Sequence, residues 1–296
     1  MTLAPARRKH YDIPIAGGRV LELGRRPLVM AILNITPDSF ADASPRLDPA
    51  AAIDVALRME DEGADLIDVG GESTRPGADP VPASEELARV LPVLTGLTGR
   101  LRVPISVDTY KAEVAGAALD AGAAIVNDVS GLRFEPALAR AVAVRDGALV
   151  LMHTRGRSKT MYAEAVYDDV VADVTRELKE SLQTASAAGV QVDRIILDPG
   201  IGFAKRPSHS YGVLARLPEL AAALDRPLLV GPSRKSFMRD AVGGRPAPDR
   251  DWGTAAAVTA AVLGGAHIVR VHAVAEMTQV VRVAEEIRRQ ATREST

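Results

Sequence analysis

The chain has 296 residues, 47% apolar and 25% charged, with a net charge of −2; this is ordinary globular usage and gives no general pull toward nucleic acid or a membrane surface. Aromatic residues make up 3%, which leaves few platforms for stacking bases, and the absence of cysteine excludes a disulfide frame, a thiolate nucleophile and a cysteine-based zinc site.

The N-terminus is basic (Arg7, Arg8, Lys9, His10), but no apolar stretch follows, so no signal peptide is expected. Ile13-Pro-Ile15 and Val20-Leu-Glu-Leu23 flank Gly17-Gly18 and read as a β-hairpin outside the main repeat. From residue 28 the chain repeats an apolar strand, a polar tip and a helix. LVMAILN over 28–34 has the apolar content of a fully buried strand and ends on the amide of Asn34. Thr36, Pro37, Asp38 and Ser39 then favour a turn. A helix follows over 48–62, with Asp48 as N-cap, Pro49 at its first position and Gly63 as its stop.

Strand 66–69 enters a Gly-Glu-Ser-Thr-Arg-Pro loop before helix 84–98, where Ser84 would open a capping box that lacks its Glu. Strand 103–107 ends at Asp108 before helix 110–121. Strand 123–126 ends at Asn127 before helix 135–145, and strand 148–152 ends at His153 before helix 166–188. Strand 194–197 ends at Asp198 before one helix over 208–224. Strand 227–230 enters the Ser233–Phe237 loop, and helix 253–263 follows. Strand 266–271 ends at His272, and helix 273–293 closes the chain. The most apolar segment, 253–271, is broken by Gly264-Gly265, so a helix, a turn and a strand explain it better than a membrane span.

Eight strand–helix units alternate, which calls for parallel strands joined by crossover helices. In about 270 residues they fit a closed (β/α)8 TIM barrel better than an open doubly wound sheet, and no G-x-G-x-x-G follows a strand. The expected organisation is an extension and hairpin over 1–26 and the barrel over 27–296.

In such a barrel the active site lies at the C-terminal strand ends. Polar tips also serve as caps and turns, but that does not account for Asn, Asp, Lys, Arg and His together on one rim. Arg270 and His272 are alternate residues of one strand and share a face. No carboxylate is visible beside Arg270 in sequence, which suits an anionic ligand; an Arg–Asp bridge inside the barrel is the alternative. Arg234 and Lys235 follow strand seven, where this fold often binds phosphate, so one side of the mouth is expected to be positive. Asp108, Asn127 and Asp198 on the other side match an amidine-like edge, that is, a flat nitrogen heterocycle held edge-on. A metal at Asp108 and Asp198 is the competing reading. The five histidines are scattered without H-x-x-x-H spacing, which argues against a zinc hydrolase.

Seven motifs in order, Asn34-Ile-Thr-Pro-Asp-Ser-Phe40, Asp68-Val-Gly-Gly-Glu-Ser-Thr-Arg-Pro-Gly77, Ser106-Val-Asp-Thr109, Asn127-Asp-Val-Ser-Gly131, Asp198-Pro-Gly-Ile-Gly-Phe203, Ser233-Arg-Lys-Ser-Phe237 and Arg270-Val-His272, closely resemble the dihydropteroate synthases. The resemblance implies a cytoplasmic, homodimeric transferase of folate biosynthesis, a sulfonamide target. It would join 4-aminobenzoate to 6-hydroxymethyl-7,8-dihydropterin diphosphate with the help of Mg2+. By the same resemblance Asp108, Lys235 and Arg75 are catalytic, and Asp108, Asn127, Asp198, Lys235 and Phe203 bind the pterin. Thr74, Arg270 and His272 would hold the diphosphate, with Asn34 at the metal. Phe40, Arg75, Pro76, Phe203 and Ser236 would shape the aminobenzoate pocket.

The chain departs from the family in a short first loop without its glycine pair, in Ala204 where Gly is common, and in Ala273 where Asp is usual. Two other functions share the barrel: methyltetrahydrofolate-dependent methyl transfer, and non-catalytic pterin binding. Residues 36–46 and 73–82 are rich in Pro, Ser, Asp and Gly without apolar period, and are expected to be mobile in the free protein and to close over bound pterin.

Overall fold

The computed structural model describes residues 8–36, 48–75 and 77–293. Strands β1 (Tyr11–Ile15) and β2 (Arg19–Leu23) form the expected antiparallel hairpin, with Tyr11 opposite Leu23 and Gly17 at φ 79° in the turn. The barrel strands are β3 (Leu28–Asn34), β4 (Leu66–Gly70), β5 (Ile105–Asp108), β6 (Ile125–Asp128), β7 (Ala148–Met152), β8 (Ile195–Asp198), β9 (Leu229–Val230) and β10 (Ile268–Val271). All pair in parallel in the order β8-β7-β6-β5-β4-β3-β10-β9. A bridge between Leu197 and Leu228, with Leu197 N–H donating to Pro227 at 3.0 Å, joins the two ends into a nearly closed (β/α)8 barrel.

The outer helices are α1 (Pro49–Asp61), α2 (Ala83–Leu97), α3 (Ala112–Asp120), α4 (Ala137–Ala143), α5 (Val170–Ala187), α6 (Pro207–Ala215), α7 (Leu217–Leu224), α8 (Asp251–Leu263) and α9 (Val274–Arg293). Asp48 caps α1 through Ala50 N–H, as its sequence position implies, and Asp169 caps α5 through Val171 and Ala172. The stretch 208–224 is two helices. Pro218 has no N–H for the carbonyl of Leu214, and the chain leaves the helical region at Arg216, φ −111°. Helix α2 begins at Ala83 without a side-chain cap, so Ser84 opens no capping box.

Two apolar layers hold the barrel. One lies between strands and helices. In the other, Ile13, Ile15, Leu21 and Leu23 of the hairpin pack with Leu66, Ile125, Ile196 and Ile268 inside the barrel, so the hairpin is its floor. Arg8 reinforces that end, donating to Glu285 (2.9 Å) and to the Ala266 carbonyl (2.9 Å). Side chains alternate along a strand, so the residues two places on from that floor point into the same interior. They are Asp68, Asn127, Asp198 and Arg270. An apolar floor and a polar layer above it therefore arise from one strand periodicity.

Candidate functional site

Arg270 organises the polar layer. Its Nε donates to Asp68 Oδ2 at 2.6 Å and its Nη2 to Asp108 Oδ2 at 2.7 Å. The expectation of an arginine without a carboxylate partner is corrected: the partners come from β4 and β5, distant in sequence but facing β10 across the interior. Arg270 thus supplies a cation to the buried Asp108 carboxylate. Among the described residues no group of three or more His, Asp or Glu is placed to hold a metal ion.

Asp68, completely buried, also accepts from Asn127 Nδ2 at 3.0 Å, which fixes that amide at the end of β6. Asp68 Oδ1 and Asp108 Oδ1 have no hydrogen-bond partner among the described residues, so both carboxylates keep accepting capacity. Burial pushes Asp108 up to about 7; Arg270 pulls it down, while Asp68, Glu86 and Asp128 push it higher. Asn34 ends β3 beside them. A Cβ built on Gly70 would stand 3.4 Å from Asp108 Cβ and 3.7 Å from Asn34 Oδ1, so glycine leaves a cradle between amide and carboxylate.

On the other flank Asp198 Oδ1 accepts from Gly200 N–H at 2.7 Å. Burial raises Asp198, and the charge of Lys235 pulls it back. Lys235 reaches over from the loop after β9: its Nζ donates to the Ile201 carbonyl at 2.6 Å and lies 4.3 Å from the centre of the Phe203 ring. Burial pushes Lys235 down to about 8. Arg234 does not add to the positive side of the mouth as expected. It turns outward into a two-point pair with Asp251 of α8, at 2.8 and 2.7 Å. His272 shares a hydrogen bond with Ser233 Oγ at 3.0 Å, while Ser233 Oγ accepts the His272 backbone N–H at 3.2 Å. Ser233 Oγ thus fixes both the backbone and the ring of His272, and leaves Nε2 as the ring atom without a partner among the described residues. Burial and the charges of Arg234, Arg270 and Arg75 push His272 down to about 3, so the ring is neutral.

Contacts from the stretch after β7 meet the loop after β4. Gly77 N–H donates to Ser158 O (3.1 Å), Ser158 Oγ donates to Ala78 O (2.9 Å), and Lys159 pairs with Asp79. Its base is anchored where Glu72 accepts from Tyr110 Oη at 2.9 Å and pairs with Lys111, which also holds the buried Glu86. Thr74 lies on this loop, in the wall of a cavity of about 220 Å³ shared with Tyr110, Phe134, Arg157, Met161 and Phe203. Arg75 is exposed, and Ser236 opens a short 3-10 turn with its Oγ 3.1 Å from Tyr162 Oη. Phe40 and Pro76 lie outside the described residues, as does most of the loop 36–46.

The structure thus joins Asp108 to Arg270, Asn127 to both through Asp68, and Lys235 to Phe203. Asp68 opens one of the seven motifs but is given no site role there, although its signal is present: one acid inside the apolar strand Leu-Ile-Asp-Val. Ala204 explains its own rarity. It sits at φ 45°, where a side chain is strained, with its carbonyl held by Tyr167 Oη at 2.8 Å.

The family described as pterin binding enzyme matches residues 30–272. The chain is 44% identical over 277 residues to the dihydropteroate synthase of Synechocystis sp., covering 93% of this chain and 96% of that one. Burkholderia cenocepacia dihydropteroate synthase complexed with 7,8-dihydropteroate is 43% identical, with a TM-score of 0.85 over 96% of this chain and 98% of that one. Yersinia pestis dihydropteroate synthase in a sulfonamide drug complex is 41% identical, with a TM-score of 0.87 over 95% and 99%.

Proposed function

This chain belongs to the pterin binding enzymes, as a dihydropteroate synthase, and from that premise we infer how its residues divide the reaction. The enzyme is a transferase of folate synthesis: the amine of 4-aminobenzoate attacks the methylene of 6-hydroxymethyl-7,8-dihydropterin diphosphate, the C–O bond breaks, and 7,8-dihydropteroate and diphosphate form. These relatives set methyl transfer and a non-catalytic role aside.

The observation that carries the assignment is the polar layer itself. Asp198 and Asn127 supply an acceptor and an amide for the amino edge of the pterin, and Lys235 and Phe203 form a shelf on its carbonyl side. Asp108 has an unused oxygen and stabilises positive charge as it develops on the pterin. No covalent nucleophile is needed. Arg270 is held by two carboxylates and meets the leaving diphosphate already oriented, with His272 and Thr74 beside it.

Magnesium fits the Asn34 cradle, because Mg2+ keeps few protein ligands and completes its shell with water and phosphate oxygens. When bound it supplies charge neutralisation to the diphosphate. Arg75, Ser236 and Phe203 form the described part of the aminobenzoate side, where sulfonamides compete; the roles of Phe40 and Pro76 there rest on the family resemblance alone.

We assign the homodimer to the outer side of α9, where Val283 and Ile287, one turn apart, are exposed (62% and 53% accessible). Sedimentation of the wild type and of Ile287→Asp tests it. No helix among the described residues is long and apolar enough to cross a membrane, in keeping with a cytoplasmic site of action. Mixing the two substrates and measuring diphosphate release tests the activity; no release with Mg2+ present would overturn it.

A further inference from the structure

A buried chain of charged groups packs against the 198–203 turn and has no part in the roles above. Lys205 is 1% accessible; its Nζ is 2.8 Å from His153 Nδ1 and 3.2 Å from the Phe203 carbonyl. His153, equally buried, places Nε2 3.1 Å from Glu177 Oε2. An ionised carboxylate only accepts, so His153 donates through Nε2, its Nδ1 carries the lone pair, and Lys205 is the donor to it. Glu177 is itself held by Arg133 at 2.8 Å and by Arg155 Nε at 3.1 Å.

The same lysine closes on the turn that carries the pterin residues. Gly200, at φ 68°, donates its N–H to Asp198 Oδ1. A Cβ there would stand 1.9 Å from the His153 carbonyl oxygen and 3.4 Å from Lys205 Nζ, so the turn lies directly on this pair and only glycine fits. Burial raises the Asp198 carboxyl, and the charges of Lys235 and Lys205 pull it back; burial also pushes Lys205 down to about 7, so its charge acts on Asp198 below that pH.

We propose that Lys205, oriented by His153 and Glu177, is a positioning residue that holds the turn bearing Asp198 and Phe203 in place from behind, for the pterin amino edge. Its charge near the buried Asp198 favours the carboxylate form. The inference rests on the pterin site assigned above. The groups facing Lys205 are His153 at the end of β7, Arg155 in the loop that follows, Tyr167 and Glu177 from the α5 side, Asp198 of β8 and Lys235 after β9; His209 of α6 feels its charge.

The test is a carbon-13 carboxyl titration of aspartate-labelled protein, with the Asp198 signal assigned by its loss in Asp198→Asn. It is run on wild type, Lys205→Met and Lys205→Gln, beside calorimetry with 6-hydroxymethyl-7,8-dihydropterin. Loss of the lysine charge should raise the Asp198 midpoint by about one pH unit or more. Pterin affinity should then fall roughly tenfold on the acid side of the new midpoint and recover above it. The KM for the pterin diphosphate should rise more on the acid side of the Asp198 midpoint than above it, while any effect on the KM for 4-aminobenzoate, which acts through Phe203, should not depend on pH. A merely structural lysine would lower affinity equally at every pH and leave the midpoint in place, and that result overturns the proposal. Should Lys205→Met fail to fold, Lys205→Gln, which keeps a donor for His153, decides. A wild type that binds no pterin while its Asp198 midpoint responds to Lys205 refutes the function and leaves the relay standing. A wild type that binds pterin with an unresponsive midpoint refutes the relay alone.

Discussion

Replacing Asp68 with asparagine should weaken both the fold and the pterin site, although the residue touches no substrate in the proposed reaction. Asp68 is fully buried and accepts two hydrogen bonds at one oxygen, from Arg270 Nε at 2.6 Å and Asn127 Nδ2 at 3.0 Å. A hydrogen bond to a charged group contributes about 1.5–3 kcal/mol and a neutral one about 1 kcal/mol. The asparagine amide retains part of this, since its oxygen can still accept from Arg270, which also keeps Asp108. A loss of about 2–3 kcal/mol is therefore expected, and for a chain of this size that lowers Tm by roughly 3–5 °C. Asn127 loses its fixed acceptor, so pterin affinity should drop about tenfold for each 1.4 kcal/mol of lost orientation. A third effect has the opposite sign: Asp68 pushes the pKa of Asp108 up, so removing its charge lets the Asp108 midpoint fall. Scanning calorimetry, pterin titration and the pH profile read the three effects separately. Unchanged Tm and unchanged pterin affinity would refute the role given to Asp68 as the hinge of the polar layer.

Arg270→Ala leaves two buried carboxylates without their cation and should cost about 3–5 kcal/mol on urea unfolding, with a larger drop in affinity for the diphosphate ester than for the bare pterin. Equal losses for both ligands would make the residue structural only. Burial places Asp108 near 7, so it gains a proton as pH falls; turnover should decline as pH drops through about 7, and that limb should be missing from the residual rate of Asp108→Asn. Ser158→Ala with Asp79→Ala unties the 73–80 loop, which should raise the KM for 4-aminobenzoate with pterin affinity untouched; parallel losses in both would place the clasp elsewhere. Ala204→Gly relieves a left-handed backbone and should stabilise the protein by up to about 1 kcal/mol, whereas destabilisation in thermal melts would show that the residue is unstrained.

Much of this was legible without coordinates, because the rules that apply are local. Strand periodicity marked the barrel strands, Asp48 announced the start of α1, and the polar residue at each strand end pointed to one rim. The motifs around Asp108, Asn127, Asp198 and Lys235 followed from the same placement. A helix boundary failed where a proline inside an otherwise periodic stretch removed one donor, dividing 208–224 at Arg216.

Amino-acid order by itself determined the eight units, the floor-then-polar alternation along β4, β6, β8 and β10, and the family to which the chain belongs. These depend on contacts within a few residues, or on the period of two that any strand imposes. Only the closed barrel decided which charges meet. Arg270 and Asp68 are separated by 202 positions and come together because β10 and β4 flank β3 with a set register. Neighbouring Arg234 and Lys235 part company for the same reason. One backbone conformation, φ 58° at Arg234, turns the first toward Asp251 on α8, while the second reaches over to Ile201 and Phe203. Pairing of buried charges is a property of the assembled interior, where desolvation makes each ion seek whatever partner the fold has placed within reach.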